Sequence, residues 1–336
     1  MPGLASEATS RGYRMSTIQQ FLEDHPVSER DVVHVEDGPW VNPEGDWGDP
    51  QFVKWLYPPA RSSHDSKYNP KDPRTFIDIE NGFSSAWRSW AVIIAGANLC
   101  ETAEQVAGPG DLNVRRAWNH YLAGLDSGFM YYGDSLDDEV KQSLALNGAL
   151  PFAIFVFEKA AIGKGDQDFT PPTVFRPQRW PYNPGGMGWG VTTHYQDVGM
   201  KGAPAFSSDF YVWTLAYDLS GMRDVTLKVR TSKPGIQSAG DIDHQTYRGG
   251  PSVGAWISIP MKRRVIDPQF SGDPPNPNLN YFILPELIAD HYWAKVEGFH
   301  DVLLDYYIEA SDLKGNIAKS DISHVWVGQK TDRKTE

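Results

Sequence analysis

Gly163-Lys-Gly-Asp-Gln-Asp-Phe-Thr-Pro-Pro172 is the stretch on which the fold turns. Its glycines, acids and paired prolines suit neither a helix nor a strand, so it reads as a linker. Downstream the apolar residues alternate. Val225, Leu227 and Val229 interleave with Thr226, Lys228 and Arg230, the pattern of a half-buried strand. Phe210 to Tyr217 is apolar on both faces and suits a central strand. Leu304, Tyr306, Ile308 and Ala310 make another inward row, Asp312-Leu-Lys-Gly-Asn316 supplies turn residues, and Val325 and Val327 share a face beyond it. Residues 168–329 are therefore expected to form a β-sandwich of immunoglobulin or fibronectin type, followed by a frayed tail over 330–336.

Upstream, over residues 1–162, the period is helical. Ile79, Phe83, Ala86, Trp87, Trp90 and Ile94 fall three and four apart, as do Val114, Ala117, Trp118, Tyr121, Leu122 and Leu125, which predicts two amphipathic helices with an aromatic inner face. Ser135 with Asp138 can cap a third, and Pro151 should restart or kink it. Nearer the start, Ser16 with Gln19 fits a capping box ahead of Ile18, Phe21 and Leu22. A short apolar strand over Asp31 to Val35 then runs into a loop rich in Gly, Pro and Asp, reaching Pro50, and a polar excursion precedes the helices. The fold class is α+β, a strand-loop plus helical bundle joined to a β-sandwich.

Composition narrows the chemistry. The chain has 336 residues, with 31 Lys+Arg against 43 Asp+Glu and a formal net charge of −12, so its field repels phosphate backbones and anionic lipid, and neither nucleic acid nor a membrane is an expected partner. The single Cys100 excludes an internal disulfide and a thiolate metal cluster. No run reaches the roughly 18 apolar residues of a spanning helix, and the opening residues lack a signal-peptide core, which makes cytoplasmic residence the default expectation. The 12 Trp, 15 Tyr and 15 Phe are abundant; most fill cores, and the rest are platforms for the apolar faces of sugar rings.

Several chemistries find no support. There is no GxxxxGK[ST] or strand-to-helix GxGxxG, and Gly185-Gly-Met-Gly-Trp-Gly190 reads as a turn between prolines. The nine histidines form neither HxH nor HExxH, so no metal and no cofactor is expected; His291 and His300 read as satisfied or exposed histidines. No nucleophile elbow is present. Paired carboxylates beside aromatic residues remain, the requirement of glycoside hydrolysis. Two clusters offer them: Glu36, Asp37, Trp40, Asp46, Trp47 and Asp49, then Asp126, Tyr131, Tyr132 and Asp134. Solvated loops produce the same clusters without any catalytic role.

At these clusters the sequence resembles glycoside hydrolase family 57, the α-glucan-acting amylases, amylopullulanases and branching enzymes. HVEDGPWVNPEGDWGDPQFVKW, residues 34–55, resembles that family's Gly-Ser-Trp segment, and LAGLDSGFMYYGD, residues 122–134, resembles its last motif, E-x-S-D-W-x-W-W-Y-G-D. The order and spacing agree, and the resemblance covers about residues 14–160. It implies the C-terminal part of a retaining enzyme whose nucleophile and acid/base lie upstream of the first motif; no stretch here resembles either. Phe129, Met130, Tyr131 and Tyr132 stand where the family has tryptophans, while Asp126, Tyr132, Gly133 and Asp134 keep the motif's outline. Trp40 takes the position of the segment's tryptophan at the cleft edge and Asp126 one near the cleft's helical wall; their bland alternatives are a loop anchor and a helix end.

The expected partner is an α-glucan polysaccharide or oligosaccharide, with substrate-binding residues Trp40, Trp47, Asp126, Tyr131, Tyr132 and Asp134. An upstream barrel segment or a homo-oligomer is a further expected partner, because a truncated barrel exposes apolar helix faces. A different class of function is a non-catalytic carbohydrate-binding or interaction protein. A third is catalysis from within the chain, for which Asp126 with Glu36 or Asp37 is the pair to test.

Overall fold

The computed structural model describes residues 2–26, 77–82, 85–126, 136–164, 168–181, 183–186, 206–268 and 283–328. The chain separates into two compact units, residues 1–42 and 43–336. The first contains helices α1 (Pro2–Ser10) and α2 (Ile18–Asp24). Thr17, not Ser16, caps α2, its side chain accepting the Gln20 N–H at 3.1 Å, and Ser16 instead donates to the Thr17 carbonyl. A hydroxyl one residue closer to the first free N–H groups reaches them with less distortion. Ile18, Phe21 and Leu22 keep their helical spacing but lie exposed. The expected strand at 31–35 and the loop after it fall outside the described residues.

The described part of the second unit includes the helices α3 (Ser85–Ala107), α4 (Leu112–Ala123) and α5 (Leu136–Lys164). Ile77 and Ile79 precede α3 rather than joining it, because the Asp78 carboxylate accepts the Glu80 and Asn81 N–H groups at 3.1 Å each and holds the chain in a turn up to Gly82. Both isoleucines are still buried. The helix α5 runs through Pro151 as one element, without the expected restart. The three helices share a cluster that includes Val92, Leu99, Cys100, Val114, Tyr121, Leu146 and Ala153. Glycines set their spacing: a Cβ on Gly96 would lie 2.8 Å from Tyr121 Cδ2, and one on Gly148 2.7 Å from His120 Nδ1. By length and composition the stretch Val140–Ala160 could cross a bilayer; Leu146, Ala149, Ala153 and Val156 pack into this cluster, while Leu144, Ile154 and Phe155 lie exposed.

Among the described residues the β region is two antiparallel sheets. The first holds β1 (Thr173–Val174), β2 (Gln178–Trp180), β3 (Phe210–Tyr217), β6 (Lys262–Arg264) and β7 (Asp290–Val296) in the order β1-β3-β7-β6, with β2 also on β3. The second holds β4 (Met222–Thr231), β5 (Ile257–Pro260), β8 (Val302–Asp312), β9 (Ile317–Lys319) and β10 (Ser323–Val327) in the order β10-β8-β4-β5, with β9 on β8. A one-turn helix α6 (Ile242–Gln245) lies between β4 and β5.

Central β3 has two cores because successive side chains point to opposite faces. Phe210, Val212 and Ala216 face the second sheet, meeting Val225, Leu227 and Val229 of β4, the row Leu304, Tyr306, Ile308 and Ala310 of β8, and Val325 and Val327 of β10. Tyr211, Trp213, Leu215 and Tyr217 face the other way, onto Trp87, Ala91 and Ile94 of α3 and onto Ile77 and Ile79. The regions read from sequence as 1–162 and 168–329 therefore share a cluster within one unit. Side-chain amides tie them further: Asn98 in α3 accepts the Leu219 N–H at 2.8 Å, and Asn147 in α5 donates to Leu284 O at 2.8 Å while accepting Glu286 N–H at 3.0 Å.

Candidate functional site

Of the residues expected to face substrate or do chemistry, Glu36, Asp37, Trp40, Trp47, Tyr131, Tyr132 and Asp134 lie outside the described residues. Asp126 is described and exposed, just past the end of α4. Asp111 caps the start of that helix, accepting Asn113 N–H at 2.7 Å and Val114 N–H at 3.3 Å; Tyr121 donates to Ile93 O at 3.1 Å, and the chain leaves through Gly124. The helical layer thus fixes where the segment containing Asp126 emerges.

The structure brings together two polar clusters that sequence reading did not single out. In the first, the buried Asp305 of β8 accepts from three sides: Arg230 Nε of β4 at 2.8 Å, His244 Nδ1 of α6 at 2.8 and 3.0 Å, and His324 Nδ1 of β10 at 2.8 Å. An ionised carboxylate only accepts, so both imidazoles present Nδ1–H to it. Arg230 also donates through Nη2 to the carbonyls of Asp243 and His244, at 2.6 and 3.2 Å, and lies 4.1 Å from the Trp256 ring centre. Strand register explains the meeting: Asp305 is the cross-strand partner of both Arg230 and His324. His244 Nε2 is buried with no hydrogen-bond partner.

Donor atoms of His244, Asp305 and His324 lie within 4.8 Å of one another, close enough for a metal ion. The Arg230 guanidinium already supplies a positive charge at the same carboxylate, and both Nδ1 atoms are committed to it, so the donor set fits a hydrogen-bonded ion cluster better than a cation site. Its signal in the sequence was a lone acid, Asp305, inside the apolar strand Leu303 to Ile308.

Burial alone would raise the Asp305 carboxyl, but the hydrogen bonds from His324, His244 and Arg230 outweigh it and hold the group below the usual aspartate range. A depressed folded-state value stabilises the fold above the unfolded-state value of about 3.9 and is lost as pH falls through the lower folded-state one. The gap in urea midpoint between the wild type and Asp305→Asn should therefore be widest near neutrality and shrink below about pH 4. A gap constant from pH 7 to pH 3 would show that the charge of Asp305 contributes nothing.

The second cluster is Asp168, Asp218 and Asp312, with donor atoms again within 4.8 Å. Asp312 Oδ1 accepts the N–H groups of Lys314, Gly315 and Asn316, and Oδ2 accepts Asn316 Nδ2, so the carboxylate is engaged in holding the β8–β9 turn. Asp218 does the same for the β3–β4 turn through Ser220. Its carboxyl is raised, chiefly by burial, with the charges of Asp168 and Asp312 adding to the shift. Both turns are structural devices first.

His291, expected to be satisfied or exposed, is neither. It is fully buried, and its ring nitrogens have no hydrogen-bond partner. It lies edge-on to Trp87, ring centres 5.4 Å apart, and tilted against Trp213 at 5.7 Å, so aromatic faces are its surroundings. Burial, assisted by Arg264, keeps it neutral. Exposed His300 matches its reading. Burial pushes the Cys100 thiol to about 12, so it stays protonated at neutral pH, away from thiolate chemistry.

No protein-family profile matches the chain. Among known structures, a purple acid phosphatase, PPD1, from yellow lupin (Lupinus luteus) seeds matches 48% of this chain and 21% of its own, at 11% identity and a TM-score of 0.26. A cycloalternan-degrading enzyme from Trueperella pyogenes matches 35% of this chain and 13% of its own, at 13% identity and a TM-score of 0.21. These two likenesses are too small to carry a fold or a chemistry. In sequence, an α-amylase of Niallia circulans is 28% identical over 390 aligned positions, which cover 93% of this chain and 29% of the relative. The chain is thus related to an α-amylase, similar over nearly all its own length to less than a third of that relative.

Proposed function

We propose that this chain is part of an α-glucan-acting glycoside hydrolase or transferase of the retaining kind, resembling family 57. The observation that carries the reading is the similarity to an α-amylase across 93% of the chain. In this reading residues 1–162 supply the late part of the catalytic region, with Asp126 near the helical wall of the glucan cleft and Trp40, Trp47, Tyr131, Tyr132 and Asp134 facing substrate. Residues 168–329 are an accessory sandwich of immunoglobulin or fibronectin type. Two antiparallel sheets closed over a common apolar core support that assignment. The nucleophile and the acid/base belong to a partner segment upstream, so the chain alone is inactive.

The test is incubation of the purified chain with soluble starch, assayed for retention on immobilised starch and for new reducing ends. Retention without new reducing ends is the expected result. Robust cleavage would overturn the inactive-fragment reading and return attention to Asp126 with Glu36 or Asp37. Neither retention nor cleavage would overturn the α-glucan assignment and favour a protein-interaction role.

A further inference from the structure

Three aspartates from three separate segments meet at one point: Asp168 ahead of β1, Asp218 in the β3–β4 turn and Asp312 at the end of β8, each with an oxygen within 4.8 Å of the others. Turn bonds occupy most of their lone pairs and leave some unused. Asp168 Oδ1 accepts the Thr170 N–H at 2.9 Å, but Oδ2 is shut away from solvent with no hydrogen-bond partner. Asp218 Oδ1 serves Ser220, while Oδ2 meets Asn98 Nδ2 at a long 3.4 Å. Asp312 Oδ2 accepts a single amide N–H, from Asn316 at 2.6 Å, and so keeps a lone pair. Each of the three acids therefore retains acceptor capacity where they converge.

A second observation lies outside the carboxylates. Thr170, only 6% exposed and held to Asp168 by its own N–H, buries its hydroxyl without a hydrogen-bond partner. Asn316 fixes this turn against the cluster, its side chain donating both to Asp168 O at 3.0 Å and to Asp312. Among the described residues no lysine, arginine or histidine is ion-paired with any of the three acids. Like charges held together in a medium that screens them poorly, beside an unanswered hydroxyl, call for a ligand that is positive and brings its own water. The donors are all oxygens, which select a hard cation over zinc or copper. Calcium–oxygen bonds of about 2.3–2.6 Å put opposite ligands about 5 Å apart, the spread of these oxygens; magnesium, at about 2.1 Å, needs a tighter octahedron that turns fixed by their own bonds do not supply.

We propose that Asp168, Asp218 and Asp312 form a calcium site that staples the approach to β1 onto the β3–β4 and β8–β9 turns. Asn98 of α3 touches the same place, bonding Asp218 and accepting the Leu219 N–H, so the ion also reinforces the joint between the helical layer and the sheets. The site does not depend on the glucan reading, and no sugar enters its test. The experiment is calorimetric titration of the whole chain, stripped with EDTA, with calcium and separately with magnesium. Melting temperatures with and without calcium are measured for the wild type, Asp168→Asn, Asp218→Asn and, as a control at an acid 72% exposed, Asp224→Asn.

Calcium should bind the wild type and raise its melting temperature, and EDTA should reverse the rise. Asp168→Asn keeps an acceptor for the Thr170 N–H and removes a charge, so it should weaken calcium binding on the order of tenfold, as should Asp218→Asn. Without calcium, Asp168→Asn should melt no lower than the wild type, because one of three crowded like charges is gone; a purely structural acid would melt lower on the same change. Asp224→Asn should leave the titration unchanged. Absence of both heat and a melting shift at millimolar calcium in the wild type would overturn the site. Calcium binding that survives Asp168→Asn and Asp218→Asn would place the ion elsewhere and overturn it equally. Magnesium binding as tight as calcium would overturn the identity of the cation.

Discussion

Asp305→Ala is expected to lower the unfolding free energy of the chain by about 3–5 kcal/mol, measured by urea denaturation near pH 7. The carboxylate is fully buried and accepts from Arg230, His244 and His324, while Arg230 is itself only 1% exposed. Removing the acid leaves a guanidinium without its counter-charge in a medium that solvates it poorly, and two imidazole N–H groups without an acceptor. The loss is one of desolvation left uncompensated, not of the ion pair's net worth. Arg230→Met with Asp305→Leu should consequently recover part of the stability that Asp305→Ala removes. Exposure decides the contrast with Lys295 and Glu297, whose side chains pair while 40% and 59% exposed. Breaking that pair should cost well under 1 kcal/mol. An Asp305→Ala cost similar to that of the surface pair would mean that the cluster does not hold the connection between β4 and β5, which Arg230 binds through the Asp243 and His244 carbonyls.

Trp213→Ala should cost about 3–5 kcal/mol, with the helical layer loosened against the first sheet. Trp213 is 3% exposed and stands on the helix-facing side of β3, in the cluster that joins Trp87, Ala91 and Ile94 of α3 to Trp293 of β7. Its ring also stacks with Phe175 at 6.1 Å and faces His291. Truncation opens a cavity that neither a strand pinned by neighbours on both sides nor a long helix can collapse into. Trp326→Ala is the control, because Trp326 is 41% exposed and its loss removes little buried area. Equal costs for the two changes would remove the claim that helices and sheet share a core. Hydrogen exchange adds a second reading, since protection in α3 should fall in Trp213→Ala and stay unchanged in Trp326→Ala.

The strand rows were legible because alternation is a local property. Val225, Leu227 and Val229, and the row from Leu304 to Ala310, needed only their own spacing to show which face is apolar. The two-sided apolar character of Phe210 to Tyr217 likewise announced a strand covered on both faces. Boundaries were less legible. Side-chain hydrogen bonds settled them, as at Asp78, which delays α3 to Ser85, and at Thr17, which takes the cap expected of Ser16. Helix propensity and period do not include such competition. Pro151 starts no new helix for a related reason: buried residues either side of it, from Leu146 to Val156, hold α5 in place through the helix cluster.

What the sequence determined by itself is the α+β character, the helical and alternating stretches, the exclusion of an internal disulfide and the likeness to α-glucan enzymes. Each depends on residue type and on spacing within about a dozen positions. Only the tertiary structure decided that Asp305, Arg230, His244 and His324 form one buried cluster, that His291 is walled in by tryptophans, and that Tyr247 and Trp256 both meet Tyr307 edge to face. Arg230 and Asp305 are 75 positions apart in the chain, and strand register alone makes them neighbours. Register follows from how two whole sheets bury their apolar faces together, a sum over many residues that no local pattern contains.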